Sequence, residues 1–369
     1  MARAAAVHLN GSRFEAIVLE GTAKRWKIAG FEAGDIPAPE EGATPGAAVA
    51  ATVAAALKKV HAPHDPVCLT IGSSGVVFRN LTLPFTGDDA IRKVLKFESE
   101  GLLHQYNIDD VVVCHVTVAE RKGASDLLIA AAPKKLLKAQ IDPLEAVGYD
   151  PALVDLDALT LFNALVATGS VPATGTSLVL HVGQDSTLAL LVEEGRLRFA
   201  RSMRAGLGSV GRAAAADLGV PEVEAQARVR ELAAKSDAGS SVGAEVEEVF
   251  VTFDEASSAG DAKTATNAHS ETAKSSEELA RDVVDGRRAD LVKRLQRETV
   301  RTAAAEARHG LQQVFLCGEG AGLAGLAPAI EEAVGVPTRE IDCLANVDGA
   351  PEGAELRRQA PIVLGAALK

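Results

Sequence analysis

A pattern of strand, glycine turn and strand occurs twice in this chain, and it constrains the fold more than any other feature of the sequence. In the first copy, the strand-like runs Ala5 to Leu9 and Phe14 to Leu19 flank Asn10-Gly11, a dipeptide typical of tight hairpins. In the second copy, Ser177 to Gly183 and Ser186 to Val192 repeat the arrangement. The separation is much longer than the period of a solenoid repeat. The duplication therefore predicts two related lobes with a cleft between them.

Charge and composition exclude several classes of protein. The chain has 369 residues, which suits about two domains at ~150 residues each. Its net charge is −12 and it lacks basic clusters interleaved with aromatic residues, so we expect no nucleic acid partner. No run approaches the ~20 apolar residues of a membrane-spanning helix and no export signal is evident, so we expect a cytoplasmic location. The four cysteines are widely spaced, which predicts small buried side chains rather than a disulfide or metal framework.

Between the two copies, the sequence predicts a helix, two strands and a small insertion. The Ala-rich stretch Ala47 to Val60 favours a helix, and the β-branched runs Val67 to Gly72 and Val76 to Leu83 favour strands. From Asp88 the apolar residues recur every three or four positions, which predicts another helix. Gly148 to Pro151 closes the insertion. Its remaining elements are expected at Asp110 to Val118, Asp126 to Ala132 and Lys134 to Val147.

The last third of the chain combines a low-complexity segment with a second glycine-rich turn. Ser236 to Ser276 is rich in small and polar residues, which predicts a mobile insertion with one more ordered patch at Val246 to Phe253. Glu277 to Arg308 and Ile362 to Leu368 favour helices, and the strand-like run that begins at Val314 leads into several glycines. Such a turn can present backbone N–H groups to an anion, although close packing of a strand on a helix explains the glycines equally well.

Taken in this order, the parts resemble the actin-like ATPase superfamily. The resemblance is greatest to the type IV pilus assembly protein PilM family, whose relatives are the cell-division protein FtsA and the cytoplasmic domain of the type II secretion protein GspL. It is carried by Phe78 to Pro84, Lys96 to Glu100, Gly148 to Asn163, Gly195 to Gly206 and Leu316 to Leu326, and it covers nearly the whole chain.

The resemblance implies an α/β, actin-like (ribonuclease H-like duplicated) two-lobe fold with an inserted small α/β subdomain. The implied boundaries are residues 1–84 for the first part of lobe I, 85–151 for the inserted subdomain, 152–175 for the return of lobe I, 176–345 for lobe II with a flexible insertion at about 236–276, and 346–369 for a C-terminal return helix to lobe I.

The resemblance also places a nucleotide site, and this sequence departs from it at the residues that matter for chemistry. ATP-using members begin both phosphate loops with an Asp that holds hydrated Mg²⁺, whereas the matching residues here are His8 and His181. Glu15 stands where the family tends to have Lys, and Glu319 replaces a glycine. Phosphoryl transfer depends on positioned cations and metal-held phosphates, so ATP and Mg²⁺ are doubtful cofactors and no catalytic residue is assigned. The vestigial nucleotide site comprises His8, Asn10, Gly11, His181, Gly183, Thr187, Gln226, Gly318 and Gly320.

The function that the resemblance implies is that of a non-catalytic, cytoplasmic scaffold of a type IV pilus or type II secretion-like machine. In the family, a short N-terminal tail of a PilN-like inner-membrane protein binds a groove beside the inserted subdomain. Such docking would hold this chain at the inner membrane, and self-association is a further expectation for relatives of filament-forming proteins.

Two alternatives remain open at this stage. The first is an active nucleotide enzyme, either an ATPase or a sugar-kinase-like phosphotransferase, for which Asp157 and Asp185 are the candidate catalytic carboxylates. The second is a site for an anion or a transition metal between His8 and His181, with Asp185 as a nearby carboxylate. The second needs a third ligand, which the sequence does not offer.

Overall fold

A computed structural model describes residues 2–22, 25–38, 42, 46–62, 67–239 and 276–369 of the chain. The segment predicted to be a mobile insertion, residues 236–276, lies outside the described residues except at its two ends. The predicted patch at Val246 to Phe253 lies wholly outside them.

The described residues form thirteen strands and eleven α-helices, and the elements predicted from the sequence occur among them in the predicted order. The strands are β1 (Ala2–Asn10), β2 (Arg13–Thr22), β3 (Arg25–Asp35), β4 (Val67–Ile71), β5 (Val77–Leu83), β6 (Val111–Arg121), β7 (Ala124–Pro133), β8 (Pro151–Leu156), β9 (Thr176–Val182), β10 (Thr187–Glu193), β11 (Arg196–Met203), β12 (Gln313–Cys317) and β13 (Thr338–Glu340). The helices are α1 (Ala47–Lys59), α2 (Asp88–Glu100), α3 (Lys134–Glu145), α4 (Asp157–Ala167), α5 (Leu207–Leu218), α6 (Glu222–Gly239), α7 (Ser276–Leu295), α8 (Arg301–Glu306), α9 (Leu326–Val334), α10 (Ala354–Gln359) and α11 (Pro361–Ala367). A π-helical turn at Gln296–Val300 joins α7 to α8.

Two five-stranded sheets have the same topology, which confirms the predicted duplication. Their strand orders are β3-β2-β1-β4-β8 and β11-β10-β9-β12-β13. In each sheet the central strand pairs antiparallel with the next strand of its hairpin and parallel with a later strand: Val7 faces Ala16 and Leu69, and Val179 faces Leu190 and Phe315. The fold is therefore the α/β, duplicated two-lobe fold that the resemblance implies.

The central strands are largely apolar because both faces of each sheet are covered. Every residue of β9 and β10 is buried, one apolar core contains residues of both sheets, and a second core covers the other face of the lobe II sheet. Strands covered on both faces read as continuous apolar runs, whereas half-exposed strands alternate. This difference explains why the sequence marks these strands clearly.

A third sheet, of order β5-β7-β6, forms the inserted subdomain. The helix α2 packs on it through Ile91 and Leu95. β5 pairs antiparallel with β7, so the strand that ends at Leu83 belongs to this sheet and not to the sheet of lobe I. The boundary predicted after residue 84 thus falls inside the three-stranded sheet, because the partner of β5 is β7, which is distant in sequence. The division into domains otherwise stays a prediction.

The cysteines correct one prediction. Cys317 and Cys343 are buried, as expected, but Cys68 is only partly buried and Cys114 is exposed. Cys114 lies on β6, which is an edge strand of the three-stranded sheet, and an edge strand is covered less completely than a central one. Of the described helices, none is long and apolar enough to cross a membrane.

Helices α4 and α11 pack at backbone distance because of a glycine. A Cβ atom at Gly365 would collide with the carbonyl oxygen of Thr160 and crowd the backbone N of Ala164. Ile362, Val363 and Leu364, which precede this glycine on α11, are almost completely buried. The C-terminal helix is thereby fixed to the core of lobe I.

We predict that Gly365→Ala destabilises the protein by about 3 kcal/mol, because overpacking at backbone distance forces the two helices apart. Gly286→Ala is the matched control: Gly286 lies within α7 and its added methyl group would meet open space. The control should stabilise the protein by about 0.5–1 kcal/mol through helix propensity. Urea unfolding followed by circular dichroism measures both changes, and equal effects of the two variants would contradict this account of the α4–α11 contact.

Candidate functional site

Three loops meet at one edge of the paired lobes. Residues 11 and 12 follow β1, residues 183–186 follow β9, and Gly318 follows β12. Because β1 is parallel to β4 and β9 is parallel to β12, the loops after these strands lie at the carboxyl ends of both sheets. This edge is where open α/β sheets bind ligands. Eight of the nine predicted nucleotide-site residues lie in these loops or at the adjoining strand ends.

The hairpin turns of the two lobes touch each other. The Asn10 amide nitrogen lies 3.4 Å from the Ser186 hydroxyl, and the Ser12 hydroxyl lies 3.5 Å from a carboxylate oxygen of Asp185. A Cβ atom at Gly11 would lie 2.6 Å from the same Asp185 oxygen. Gly11 also has φ +61°, so its turn requires glycine for conformation as well as for space. The space between the loops is therefore occupied by their own side chains.

His8 and Glu15 form a buried ion pair on the first lobe. The two residues face each other across the β1–β2 register, and His8 Nδ1 lies 2.5 Å from Glu15 Oε2. Only 3% of His8 and 7% of Glu15 is exposed. Burial lowers the pKa of His8, but the charge and hydrogen bond of Glu15 and the charge of Asp157 outweigh it, so the pKa is raised above 6.5. Glu15 and Asp157 thus favour the protonated form of His8.

Asp157 completes this cluster from the start of α4. It is fully buried, it accepts a hydrogen bond from the Ser73 hydroxyl, and it accepts another from the backbone N–H of Ala158 at 2.7 Å. Burial raises its pKa, while the charge of His8 and the hydrogen bonds from Ser73 and Ala158 lower it, and the net pKa lies above 3.8. The sequence does not reveal Ser73 as its partner, because the two residues are far apart in the chain.

The pKa of His181 is shifted in the opposite direction. His181 is 7% exposed, and its Nε2 is buried without a hydrogen-bond partner in the described part of the chain. Burial, and then the interaction with His8, lower its pKa to about 4. The environments of the two histidines therefore differ: the pKa of His8 is raised and that of His181 is lowered.

The nearby arginines are paired with carboxylates. Arg13, which the sequence did not mark as a site residue, contacts Asp35 at 2.9 Å and Glu319 of the opposite lobe at 2.8 Å. Arg212 lies 3.6 Å from Asp185 and 3.8 Å from Glu222. The Arg13–Glu319 pair links the first hairpin to the late glycine turn. A cross-lobe pair of this kind leaves no periodic or local signal in the sequence.

Glycines and Thr187 support the backbone at this site. A Cβ atom at Gly318 would lie 2.7 Å from the carbonyl oxygen of Val182, and one at Gly320 would collide with the Val182 side chain. The Thr187 hydroxyl donates to the carbonyl oxygen of Ala205 at 2.7 Å and is fully buried. Each of these residues has a structural role that is independent of any ligand.

Gln226 lies apart from the facing turns. It is on α6, where its amide donates to Glu222 at 2.6 Å and its side chain packs against Gly211 of α5. Its neighbour Arg228 pairs with Glu224 at 2.6 Å. The structure therefore brings His8, Asn10, Gly11, His181 and the late glycines together, while Gln226 contacts the adjoining helix.

The alternative of a metal between the histidines lacks ligands. Nδ1 of His8 is already bonded to Glu15, and Asp185 contacts Ser12 and Arg212. Within the described residues, no group of three or more His, Cys, Asp or Glu side chains is arranged to hold a metal ion.

His181 should make the stability of the protein depend on mildly acidic pH. Because its pKa falls from 6.5 in the unfolded chain to about 4 in the fold, its contribution is fully present above pH 6.5 and is lost as the pH falls toward 4. The loss amounts to about 3 kcal/mol at ~1.4 kcal/mol per pKa unit. His8, whose pKa is raised, acts with the opposite sign: its contribution is complete well below pH 6.5 and is lost as the pH rises through its folded-state pKa.

We predict that His181→Gln flattens the dependence of the unfolding free energy on pH between 4.5 and 6.5. His104→Gln, a change at an exposed histidine, should keep the slope of the parent protein. Urea unfolding at several pH values measures the slopes. If the His181→Gln protein retained the parent slope, the assignment of His181 as a buried neutral imidazole would be wrong.

Comparisons with known proteins agree on the fold. No protein-family model and no curated protein sequence matches the chain. Among solved structures, a chain of a PilM–PilN type IV pilus biogenesis complex superposes with a TM-score of 0.75 at 16% identity, over 99% of this chain and 97% of that one. The ethanolamine utilization protein EutJ from Carboxydothermus hydrogenoformans gives 0.52 at 11% identity, over 100% and 90%.

These identities are low enough that the likeness establishes fold alone. It includes the inserted subdomain, because nearly the whole of both chains is covered in the PilM match. The cytoplasmic domain of EpsL from Vibrio cholerae matches 58% of this chain and 76% of its own, with a TM-score of 0.38 and 16% identity, which is too low to add to the argument. The resemblance to PilM predicted from the sequence is thus confirmed at the level of the fold, which is actin-like and two-lobed.

Proposed function

We propose that this protein is a cytoplasmic, actin-like scaffold of a type IV pilus or type II secretion-like machine, that it docks on a PilN-like inner-membrane protein, and that its nucleotide site is degenerate. One observation carries the proposal: the fold shared with the PilM of a PilM–PilN complex extends over the whole chain, including the inserted sheet. In this proposal the protein remains in the cytoplasm and reaches the membrane through its partner.

The charges around the facing turns support the degenerate site. A triphosphate placed there would approach Asp185 and Glu319, while Arg13 and Arg212 are already paired with carboxylates and His8 with Glu15. Two like unit charges 4 Å apart repel by about 4 kcal/mol at the effective dielectric of a protein surface. Hydrogen bonds from backbone N–H groups to the phosphates would have to outweigh several repulsions of this size. These residues do not fit ATP with Mg²⁺, and we derive no step of catalysis from them.

A surface beside the inserted subdomain supports the docking proposal. β6 and β8 are edge strands of their sheets, and they carry Val112 and Leu153, which are 47% and 42% exposed. Burial, and then the charge of Asp155 on β8, raise the pKa of the Cys114 thiol on β6, and β7, the partner of β6, shares an apolar core with β8 through Ala132 and Leu156. We name this region the β6–β8 surface. An extended peptide could add to either edge and cover both apolar side chains.

The two candidate carboxylates give little support to the alternative of an active nucleotide enzyme. Asp157 is fully buried and hydrogen bonded to Ser73, so it is not accessible to a substrate in this conformation. Asp185 contacts Ser12 and Arg212. A general base must reach the proton that it removes. An active enzyme would therefore require the two lobes to separate.

For the nucleotide site, we predict that calorimetric titration of the full chain with ATP and Mg²⁺ gives no binding isotherm. The reason is the repulsion described above, together with the pairing of the local cations. Binding accompanied by turnover would contradict the degenerate site. In that case Asp157→Asn and Asp185→Asn would identify the catalytic carboxylate, and a variant with unchanged activity would exclude its residue.

For docking, we predict that Leu153→Glu and Val112→Glu each weaken binding of the N-terminal cytoplasmic peptide of a PilN-like protein encoded beside this chain. A lost apolar contact of about 1.5–3 kcal/mol corresponds to roughly ten- to a hundredfold in affinity. Val223→Glu is the matched control, because Val223 is 81% exposed on α6, away from this surface. Fluorescence anisotropy of a labelled peptide measures the affinities, and equal affinity of all three variants would place the peptide elsewhere.

A further inference from the structure

The inserted sheet has a second free edge, which faces the other lobe. β5 is the edge strand opposite β6, and β11 is the edge strand of the lobe II sheet. Between β5 and β11 lies a cavity of about 470 Å³, with α8 at its side and Leu128 of β7 also lining it. We name this cavity the β5–β11 groove. It is separate from both the facing turns and the β6–β8 surface.

Polar contacts between the insertion and lobe II fix the width of the groove. Arg204, just beyond β11, donates to the Ser74 hydroxyl, just before β5, at 2.8 Å. On α8, Glu306 accepts from the Asn80 amide of β5 at 2.8 Å. These contacts fix the insertion relative to lobe II, so the position of the groove between them is defined.

The chemistry of the groove differs from that of the protein as a whole. The chain carries a net charge of −12, but the groove is lined by Arg79 and Arg201 and by a single carboxylate, Glu306, which already bonds Asn80. Arg79 donates to the carbonyl oxygen of Phe78, and Arg201 donates to the Thr302 hydroxyl at 3.3 Å. Both guanidinium groups therefore bind neutral oxygens and keep donors for an anionic partner.

Two further observations favour a bound polypeptide. The hydroxyl of Ser202 is buried at the groove without a hydrogen-bond partner among the described residues, and Phe199 beside it is only partly buried. The wall formed by Thr302 and Glu306 follows the π-helical turn, and such turns occur frequently at functional sites. Each strand contributes four or five lining residues. At ~3.3 Å per residue, this is room for an extended segment of about four residues.

We propose that the β5–β11 groove binds an extended, acidic segment of a partner protein, which adds as a strand to a free edge and places a carboxylate between Arg79 and Arg201. Strand addition satisfies the backbone groups of an edge, and charge complementarity selects the acidic side chain. This binding does not depend on the proposed pilus or secretion role, because it uses a different edge of the inserted sheet.

The test is selection from a displayed library of random linear nonapeptides on the full chain, followed by anisotropy with the leading peptide. We expect selected peptides to be rich in Asp and Glu, and Arg79→Glu or Arg201→Glu to weaken binding by about tenfold or more, as for a lost charge-assisted hydrogen bond. Lys122→Glu, the same change of charge on the β6–β7 turn, should preserve the affinity.

A second measurement examines strand addition without altering the protein. N-methylation of successive amides in the peptide should weaken binding at alternate positions, because only every second amide of an added strand faces the edge. Uniform tolerance of N-methylation, a failure to select acidic peptides, or equal affinity of Arg201→Glu and the parent would each overturn the proposal. Full displacement by inorganic phosphate at constant ionic strength would assign the groove to small anions. Self-association that Arg201→Glu abolishes would assign it to a second copy of the chain.

Discussion

The structure depends on how each lobe surrounds its central strand. β1 and β9 each pair antiparallel with a hairpin neighbour and parallel with a distant strand, so the loop that follows them emerges at the carboxyl edge of a sheet. In both lobes the adjacent residue, His8 or His181, is buried at that edge. Duplication thus brings the same position of each lobe to one interface. The location of the site therefore follows from the topology of the two sheets, whichever side chains occupy it.

The charged side chains at that interface are paired with one another. The positive charge of His8 is balanced by Glu15 and Asp157, and Arg13 is balanced by Asp35 and Glu319 of the opposite lobe. Breaking one member of a buried pair is costly, because the remaining charge loses its partner. The pairs therefore favour a closed arrangement of the lobes. A scaffold benefits from such rigidity, whereas an ATPase that cycles between open and closed lobes must break these contacts repeatedly.

The inserted sheet gives the molecule two further edges of different character. The β6–β8 surface exposes Val112 and Leu153, while the β5–β11 groove presents Arg79 and Arg201. Edge strands are usually protected, because their backbone groups can pair with another chain. Here the two edges face different lobes and differ in polarity. If both proposals hold, one three-stranded sheet receives two segments at separate edges.

Local patterns in the sequence, such as the Asn10-Gly11 turn and the largely apolar central strands, were sufficient to predict most of the elements and their duplication. The resemblance drawn from these elements and their motifs indicated the actin-like fold, and it implied that His8 and His181 stand where ATP-using members have Asp. Tertiary structure alone decided which sheet β5 joins, that Ser73 bonds Asp157, and that Arg13 reaches Glu319. It also decided that Glu15 and Asp157 raise the pKa of His8 despite its burial, while burial lowers the pKa of His181 to about 4. These outcomes depend on contacts between residues far apart in the chain and on burial, neither of which leaves a periodic pattern in the sequence.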